Sequence, residues 1–485
     1  MRIFTTLLKK LKSADFILVT LSTVICSGLS FVLNVYSKHE VDSRPMGIYS
    51  ACLIVMTYMN YAQFGVLNAY NRDYPQALGR KDFNEANKQR NITVTFMLLV
   101  YTLIFILFEA WVFFNYRGQI GIDEKNTFYA FGYAMCPIMI LLKSFDDMAN
   151  STVRMQGKYN KSALLGFIRT VLAFGIGVVF IKIFGYYGLY AMSISSALIG
   201  IIFFYKDSFK GTRLDLDFNY MKLMVVGGLP LLINSLIWTI VQNVDKHVIQ
   251  LFFEDSDNAL GVYSVPTMGF TTMVLVPQTI SQVFYIKISH LYGANHDEKE
   301  LLDKAGYFTC ITSAISGIAC VLVFYIMPIF VGIFMPRYTD GNVATQILII
   351  GVAIYSTTML FGNIFSVVKL NKSLIANSVA LCIFNMIFSS ALVLLVERSI
   401  NMVAIGTGLS YALYSLLLMI KLTKQFNYPF LKLVANSWLP VLSMVIPGVL
   451  FYLIIPNIYI AAGFTLFTIL VVCAILLKLR IRERG

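Results

Sequence analysis

Charge is what this sequence has least of. Lys, Arg, Asp and Glu make up 13% of its 485 residues, where soluble globular chains carry about 25%, and 58% of the residues are hydrophobic. No soluble core needs that much apolar surface, so the excess must face lipid or other lipid-buried helices. Long polar stretches are also missing. The largest, near 70–91 and 287–304, have room for short surface helices but not for a domain. The stretches on the opposite side are shorter still, which removes the sizeable outward catalytic loop expected of a membrane glycosyl polymerase or ligase. Paired cysteine motifs are absent. Cys26, Cys52, Cys136, Cys310, Cys320, Cys382 and Cys473 all lie inside apolar runs and read as small buried hydrophobes. There is no HExxH, no phosphate-binding glycine loop and no nucleophile elbow. His247, His290 and His296 do not have the spacing of a metal set. No cofactor is therefore expected, and ATP bound to this chain cannot be the driving force. Acids are scarcer than bases, 25 against 38. The bases cluster between apolar runs rather than along one soluble face, which argues against nucleic acid as a partner.

What is present is a series of apolar runs, each near the roughly 20 residues that a helix needs to cross a bilayer. They predict an all-α integral membrane protein of about fourteen spans. The spans cover 15–36, 46–69, 92–115, 127–149, 162–182, 185–205, 223–253, 259–286, 305–332, 343–368, 373–396, 402–420, 433–455 and 458–477. Helix is required because lipid offers the backbone no hydrogen bonds, and the alternating pattern of barrel strands is missing. Of the 38 Lys and Arg, 29 fall in the N-terminal segment, every second loop after it, and the C-terminal segment. This positive-inside asymmetry predicts a multi-pass membrane protein with both termini cytoplasmic. Residues 1–13 are basic and lead into an apolar stretch without a clear cleavage site, which reads as a retained first helix.

The sequence also repeats. Gly47-Ile48-Tyr49-Ser50 recurs as Gly261-Val262-Tyr263-Ser264, Gly79 matches Gly293 at the same offset, and Asn160-Lys161-Ser162 recurs as Asn371-Lys372-Ser373. The repeat relates helices 1–6 to helices 7–12 in the same orientation, a common transporter plan. It predicts an N-lobe over 1–215, a C-lobe over 216–425, and two further helices with a basic cytoplasmic tail over 426–485.

Two stretches resemble a known family. Val244-Asp245-Lys246-His247-Val248-Ile249-Gln250, followed by Ala259-Leu260-Gly261-Val262-Tyr263-Ser264-Val265, looks like the seventh-to-eighth helix junction of the polysaccharide transporter family. Those are the Wzx-type O-antigen and capsule flippases of the multidrug/oligosaccharidyl-lipid/polysaccharide (MOP) superfamily. Met46-Gly47-Ile48-Tyr49-Ser50, Gly65-Val66 and Arg72 carry the same resemblance in the first copy. It implies a MATE-like fold of two lobes around a central cavity. It also implies a flippase that turns an undecaprenyl-pyrophosphate-linked oligosaccharide from the cytoplasmic to the outer leaflet. Membrane lipids, and the polymerase and chain-length proteins of such a pathway, are the implied partners. Cation-coupled drug exporters of the superfamily commonly carry an acid in the first helix, whereas 16–36 holds none. A multidrug exporter, a lipid II-type flippase and a membrane enzyme of glycan assembly stay as alternatives.

A substrate of this kind needs cations for phosphate and amides or hydroxyls for sugar. Charge inside a membrane costs about 2.5–3.5 kcal/mol on insertion scales, so intramembrane charges mark the candidates. Thr239, Gln242 and Lys246 share one face of a helix over 223–253, with Asn243 beside them, and Lys246 is a candidate for phosphate. Arg169, about two turns into its helix, is the second candidate cation; it could instead pair with Asp146 or Asp147. Gln278, Gln282, Asn60 and Gln63 are candidate sugar contacts. Pro277 interrupts the eighth span and offers a hinge. Lys143 and Asp147 are spaced for an ion pair along one helix, with Asp146 adjacent, and form a candidate inner gate. Asp245 and Glu109 are the acids considered for coupling, with proton and sodium gradients both open.

Overall fold

The computed structural model describes residues 14–295, 298–368 and 370–482. Among them every regular element is helical. The helices are α1 (Ala14–Glu40), α2 (Ser43–Met59), α3 (Val66–Gly79), α4 (Phe83–Tyr116), α5 (Glu124–Met155), α6 (Tyr159–Phe184), α7 (Tyr186–Ser208), α8 (Phe218–Val241) and α9 (Val244–Phe252). They continue as α10 (Ser256–Asn295), α11 (Glu298–Phe334), α12 (Asn342–Thr357), α13 (Met359–Val367), α14 (Asn371–Leu395), α15 (Ile400–Phe426), α16 (Phe430–Ile454) and α17 (Ile458–Arg482). Twelve spans among the described residues are long and apolar enough to cross a membrane, or thirteen with the bent pair α2–α3 counted as one. The first expected span coincides with α1, whose side chains are described from Ile25 onward. The outer faces confirm the reading of composition. Leu103, Leu107 and Phe114 on α4, and Phe467 and Leu470 on α17, are more than half exposed, as lipid-facing side chains must be. Contiguous apolar surface on this scale marks a membrane contact.

The chain divides into two units, Met1–Leu236 and Ile237–Gly485. Within the first, polar side chains fix the helix ends. Asp82 and Asp123 cap α4 and α5 by accepting hydrogen bonds from the backbone N–H of Glu85 and Lys125, which satisfies donors left free at helix N-termini. Lys158 and Lys161 both reach Asp207, at 2.7 and 2.5 Å, and tie the start of α6 to the end of α7. The segment between α7 and α8 is held on α4 by Asn91 and Thr95, which accept from the N–H of Arg213 and Asp215. There the Lys88 ammonium, 2.8 Å away, holds the Asp217 carboxyl below the usual carboxylate range.

Two expected spans are broken; a third, 343–368, is interrupted only at Thr358 between α12 and α13 and still counts as one span. Between α2 and α3 the chain passes through a short 3-10 turn, Asn60–Gln63, and bends by 53°. Phe64 and Gly65 both have positive φ, +50° and +82°, a conformation that Gly tolerates. Gly65 lies directly against the backbone of α8, where a Cβ on Gly65 would come 2.5 Å from the Gly228 carbonyl carbon. Tyr61 Oη donates to the Ser235 carbonyl at 3.0 Å and Arg72 Nη1 to that of Gly227 at 3.1 Å. The second break separates α8 from α9 at Gln242–Asn243. Asn243 Nδ2 donates to the Thr239 carbonyl at 2.8 Å, occupying an acceptor that an ending helix leaves open.

Within the second unit the core is continuous from Met273 and Phe284 on α10, through Leu348 and Phe361, to Leu418 and Val441. α10 runs unbroken through Pro266 and Pro277. The helix is not broken at Pro277: a proline deletes one backbone donor, and the bonds on either side are enough to continue the helix through it. All seven cysteines are free; Cys52, Cys136, Cys310 and Cys320 are buried and the other three half-buried.

Candidate functional site: an ion-paired cavity in the first unit

Helical spacing brings charge to one place. On α5, Met139, Lys143 and the adjacent pair Asp146 and Asp147 follow one another at three to four residues and so share a face. Arg169 and Ala173 on α6, and Met192, Ser193 and Ser196 on α7, do the same. These faces, with Leu29, Ser30 and Leu33 of α1 and Leu53 and Met56 of α2, enclose a cavity of about 450 Å³ within the first unit. That volume lies in the range of small-ligand sites, roughly 300–1,000 Å³. Its walls are mainly apolar, with two cations, two carboxylates and a row of hydroxyls.

Arg169 Nη1 donates to Asp146 Oδ2 at 2.5 Å, with the side chains 24% and 11% exposed. The pair crosses from α6 to α5. The ion pair along α5 between Lys143 and Asp147 does not form: both side chains are exposed, and neither has an ion pair within 4 Å among the described residues. A buried carboxylate gains more from a charged partner than an exposed one does, because water screens the latter. Asp146, tucked against α7, therefore takes the guanidinium. Gly200 of α7 makes room for it, since a Cβ there would sit 2.0 Å from Asp146 Oδ1. Ser193 Oγ is fixed by Tyr49 Oη at 3.2 Å and by the Leu189 carbonyl at 3.0 Å.

None of the other candidates whose side chains are described lines this cavity. The polar stripe expected on one continuous helix over 223–253 is not formed. The break at Gln242–Asn243 leaves Thr239 at the end of α8 and Lys246 in the first turn of α9. Lys246 Nζ donates to Asn243 Oδ1 at 3.0 Å, and the Lys246 N–H to Asp245 Oδ1 at 2.9 Å, so these side chains organise the break itself. Gln242 is exposed. Gln63 is buried and its Oε1 accepts from the Leu67 N–H at 3.1 Å, capping α3; Asn60, in the same turn, is half-buried. Gln278 is exposed on α10, Pro277 beside it is buried, and the side chain of Gln282 lies outside the described residues, as do those of His290 and His296.

Sequence reasoning missed a polar cluster of the second unit. Asn385 Oδ1 accepts from Ser389 Oγ at 2.9 Å and Thr407 Oγ1 at 3.1 Å, all three side chains being buried. The signal was present as isolated polar residues in apolar helices, which most often tie membrane helices together. α9, carrying Asp245, packs on the two helices that hold this cluster, α14 and α15.

Comparison with known proteins follows from this geometry. No curated protein matches the chain in sequence. Among solved structures, the lipid II flippase MurJ in an inward closed conformation is similar with TM-score 0.71 and 16% identity, over 96% of this chain and 100% of that one. An inward-facing multidrug resistance MATE family transporter of the MOP superfamily gives 0.65 and 14%, over 82% and 94%. A MOP superfamily transporter from Pyrococcus furiosus, described by the reverse polarity of its binding pocket, gives 0.59 and 14%, over 87% and 96%. Identities this low speak for the fold alone, and that fold is the MATE-like one that the resemblance implies. Residues 47–339, well over half of the sequence, match the family described as polysaccharide biosynthesis protein, and the chain is thereby a multi-pass membrane protein belonging to that family.

Proposed function

We propose that this protein is a flippase for a polyprenyl-pyrophosphate-linked oligosaccharide, the undecaprenyl-linked unit of a bacterial surface polysaccharide. It moves that unit from the cytoplasmic to the outer leaflet of the cytoplasmic membrane, with both termini on the cytoplasmic side. The family match and the likeness to a flippase over 96% of this chain and all of that one support this reading. The observation that carries it is the cavity of the first unit, where Arg169 and Lys143 stand beside Ser193, Ser196 and Thr170. Cations that suit phosphate and hydroxyls that suit sugar are thus combined inside a membrane-spanning bundle. Of the two acids there, the buried one, Asp146, is taken up by Arg169. Coupling to a proton or sodium gradient is part of the reading, with Asp245 as its acid.

The test is purified protein in vesicles bearing undecaprenyl-pyrophosphate-linked N-acetylglucosamine with a fluorophore, followed by a quencher confined to the outside. Wild-type protein speeds transfer between leaflets above empty vesicles, and R169Q slows it about tenfold, the loss of one charge-assisted contact. Transfer no faster than in empty vesicles, with uptake of a cationic dye in its place, assigns the protein to the drug exporters. Turnover of the lipid in detergent, where no leaflets exist, assigns it to the enzymes.

A further inference from the structure

The Asp146–Arg169 pair is incomplete. Asp146 is 7% exposed, and while its Oδ2 binds Arg169 its Oδ1 is buried with no hydrogen-bond partner. An ionised carboxylate can accept about four hydrogen bonds, and a buried pair repays its desolvation only when the remaining lone pairs are also satisfied. What holds the carboxylate in place is the notch at Gly200, where any side chain would collide with Oδ1. Lys143, one turn away on the same helix, faces the same cavity without an ion pair. The guanidinium is thus engaged by a poorly satisfied anion, beside an open space of about 450 Å³ that Lys143 and Asp147 also line, neither with an ion pair within 4 Å among the described residues.

We propose that Asp146 is an internal counter-ion that masks Arg169, and that the phosphate of the lipid-linked ligand enters the cavity by taking Asp146's place on the guanidinium, with Lys143 as its second cation. This rests on the flippase reading above and adds a rule of selection to it. Phosphate oxygens match the guanidinium fork as a carboxylate does, and they bring acceptors enough for both cations. A single negative group that engages Arg169 alone must compete with a carboxylate already in place. A pyrophosphate that engages both cations gains a contact the internal pair lacks. The mask thereby discriminates against the anionic phosphodiester headgroups that surround any membrane protein, since specificity arises from what is made costly for competitors.

The experiment uses the full-length protein in detergent and two probes, inorganic pyrophosphate and farnesyl pyrophosphate, with binding read by calorimetry. D146N removes the mask by charge. G200A removes it by shape and leaves both charges in place. Both variants bind at least about tenfold more tightly than wild type, the scale of an unfavourable like-charge contact removed. R169Q and the double variant D146N/R169Q bind at background. Tightening with both probes assigns the effect to the phosphates. Tightening with farnesyl pyrophosphate alone assigns the ligand to lipid-borne pyrophosphate. The proposal is overturned if D146N and G200A, eluting as monodisperse protein, bind neither probe more tightly than wild type, or if R169Q binds as wild type does. The two readings fail separately. Wild-type vesicles that transfer no lipid end the flippase assignment, whereas transfer by wild type with no tightening in D146N ends the mask alone.

Discussion

A charged pair within the membrane is worth little as a gain but much as a loss. Truncating one partner of a buried pair strands the other, at a cost of about 3–5 kcal/mol, while replacing both with apolar groups is near neutral. R169Q therefore lowers the melting temperature of the detergent-solubilised protein, and the double variant D146L/R169L restores it to near the wild-type value. A double variant as unstable as R169Q would show that the loss came from packing rather than from a stranded carboxylate. Lys143 is different, being exposed with no ion pair within 4 Å. K143Q should leave melting unchanged while weakening pyrophosphate binding, which separates a ligand contact from a structural one. The sequence marked all four charges of this cavity, because charge in an apolar run is conspicuous. It did not show which acid Arg169 prefers. That choice depends on how α5 and α6 cross and on the absence of a side chain at Gly200, and neither is a property of one helix.

The two breaks show how helices in lipid bend without stranding their backbone groups. At the first, Gln63 caps α3 and Gly65 takes a conformation that other residues resist, while α8 approaches to backbone contact. G65A faces both the strained φ and a collision with backbone atoms that cannot swing aside, and G228A would place its Cβ 1.9 Å from the Gly65 carbonyl oxygen. Both should reduce folded yield or lower melting sharply. G332A, inside α11 with nothing within 4 Å of its Cβ, should stabilise slightly, by up to about 1 kcal/mol. Equal melting for G65A and G332A would remove the elbow from the account. The repeat made the first break hard to read. Its second copy places Gln278 and Thr279 at the positions of Phe64 and Gly65, and there α10 is a single helix. The second break had no glycine or proline at Gln242–Asn243 to announce it, and a side-chain bond to Thr239 sufficed. Elsewhere one contact outside the spans carries a comparable test. Tyr428, between α15 and α16, donates to Asp303 at 2.6 Å, and Lys432 meets the same carboxylate at 2.7 Å. Burial, with Asp303 beside it, pushes the phenol up to about 12, so it remains a donor throughout the physiological range. Y428F loses a hydrogen bond to a charged group, about 1.5–3 kcal/mol, and should lower melting accordingly.

For the whole chain, hydropathy was the legible feature, because it is summed over a span and tolerates local error. Each apolar run falls on one helix of the structure or on an interrupted pair, and the motifs of the repeat open corresponding helices: Gly47 lies near the start of α2 and Gly261 near that of α10, and Asn160 and Asn371 stand in the first turns of α6 and α14. The same logic predicts orientation. With basic clusters held on the cytoplasmic side, the turn between α4 and α5 faces outward and the segment between α7 and α8 faces inward. Single cysteines at Gln119 and Lys210, both exposed in those connections, test this directly. A membrane-impermeant maleimide applied to intact cells should label Q119C, and should label K210C only after the membrane is opened. The native cysteines add little background, since all seven are buried or half-buried within helices. Labelling of K210C in intact cells with Q119C silent would invert the chain. The Arg169 cavity would then face the wrong leaflet for a substrate made in the cytoplasm, and the direction of transport proposed above would fall with it.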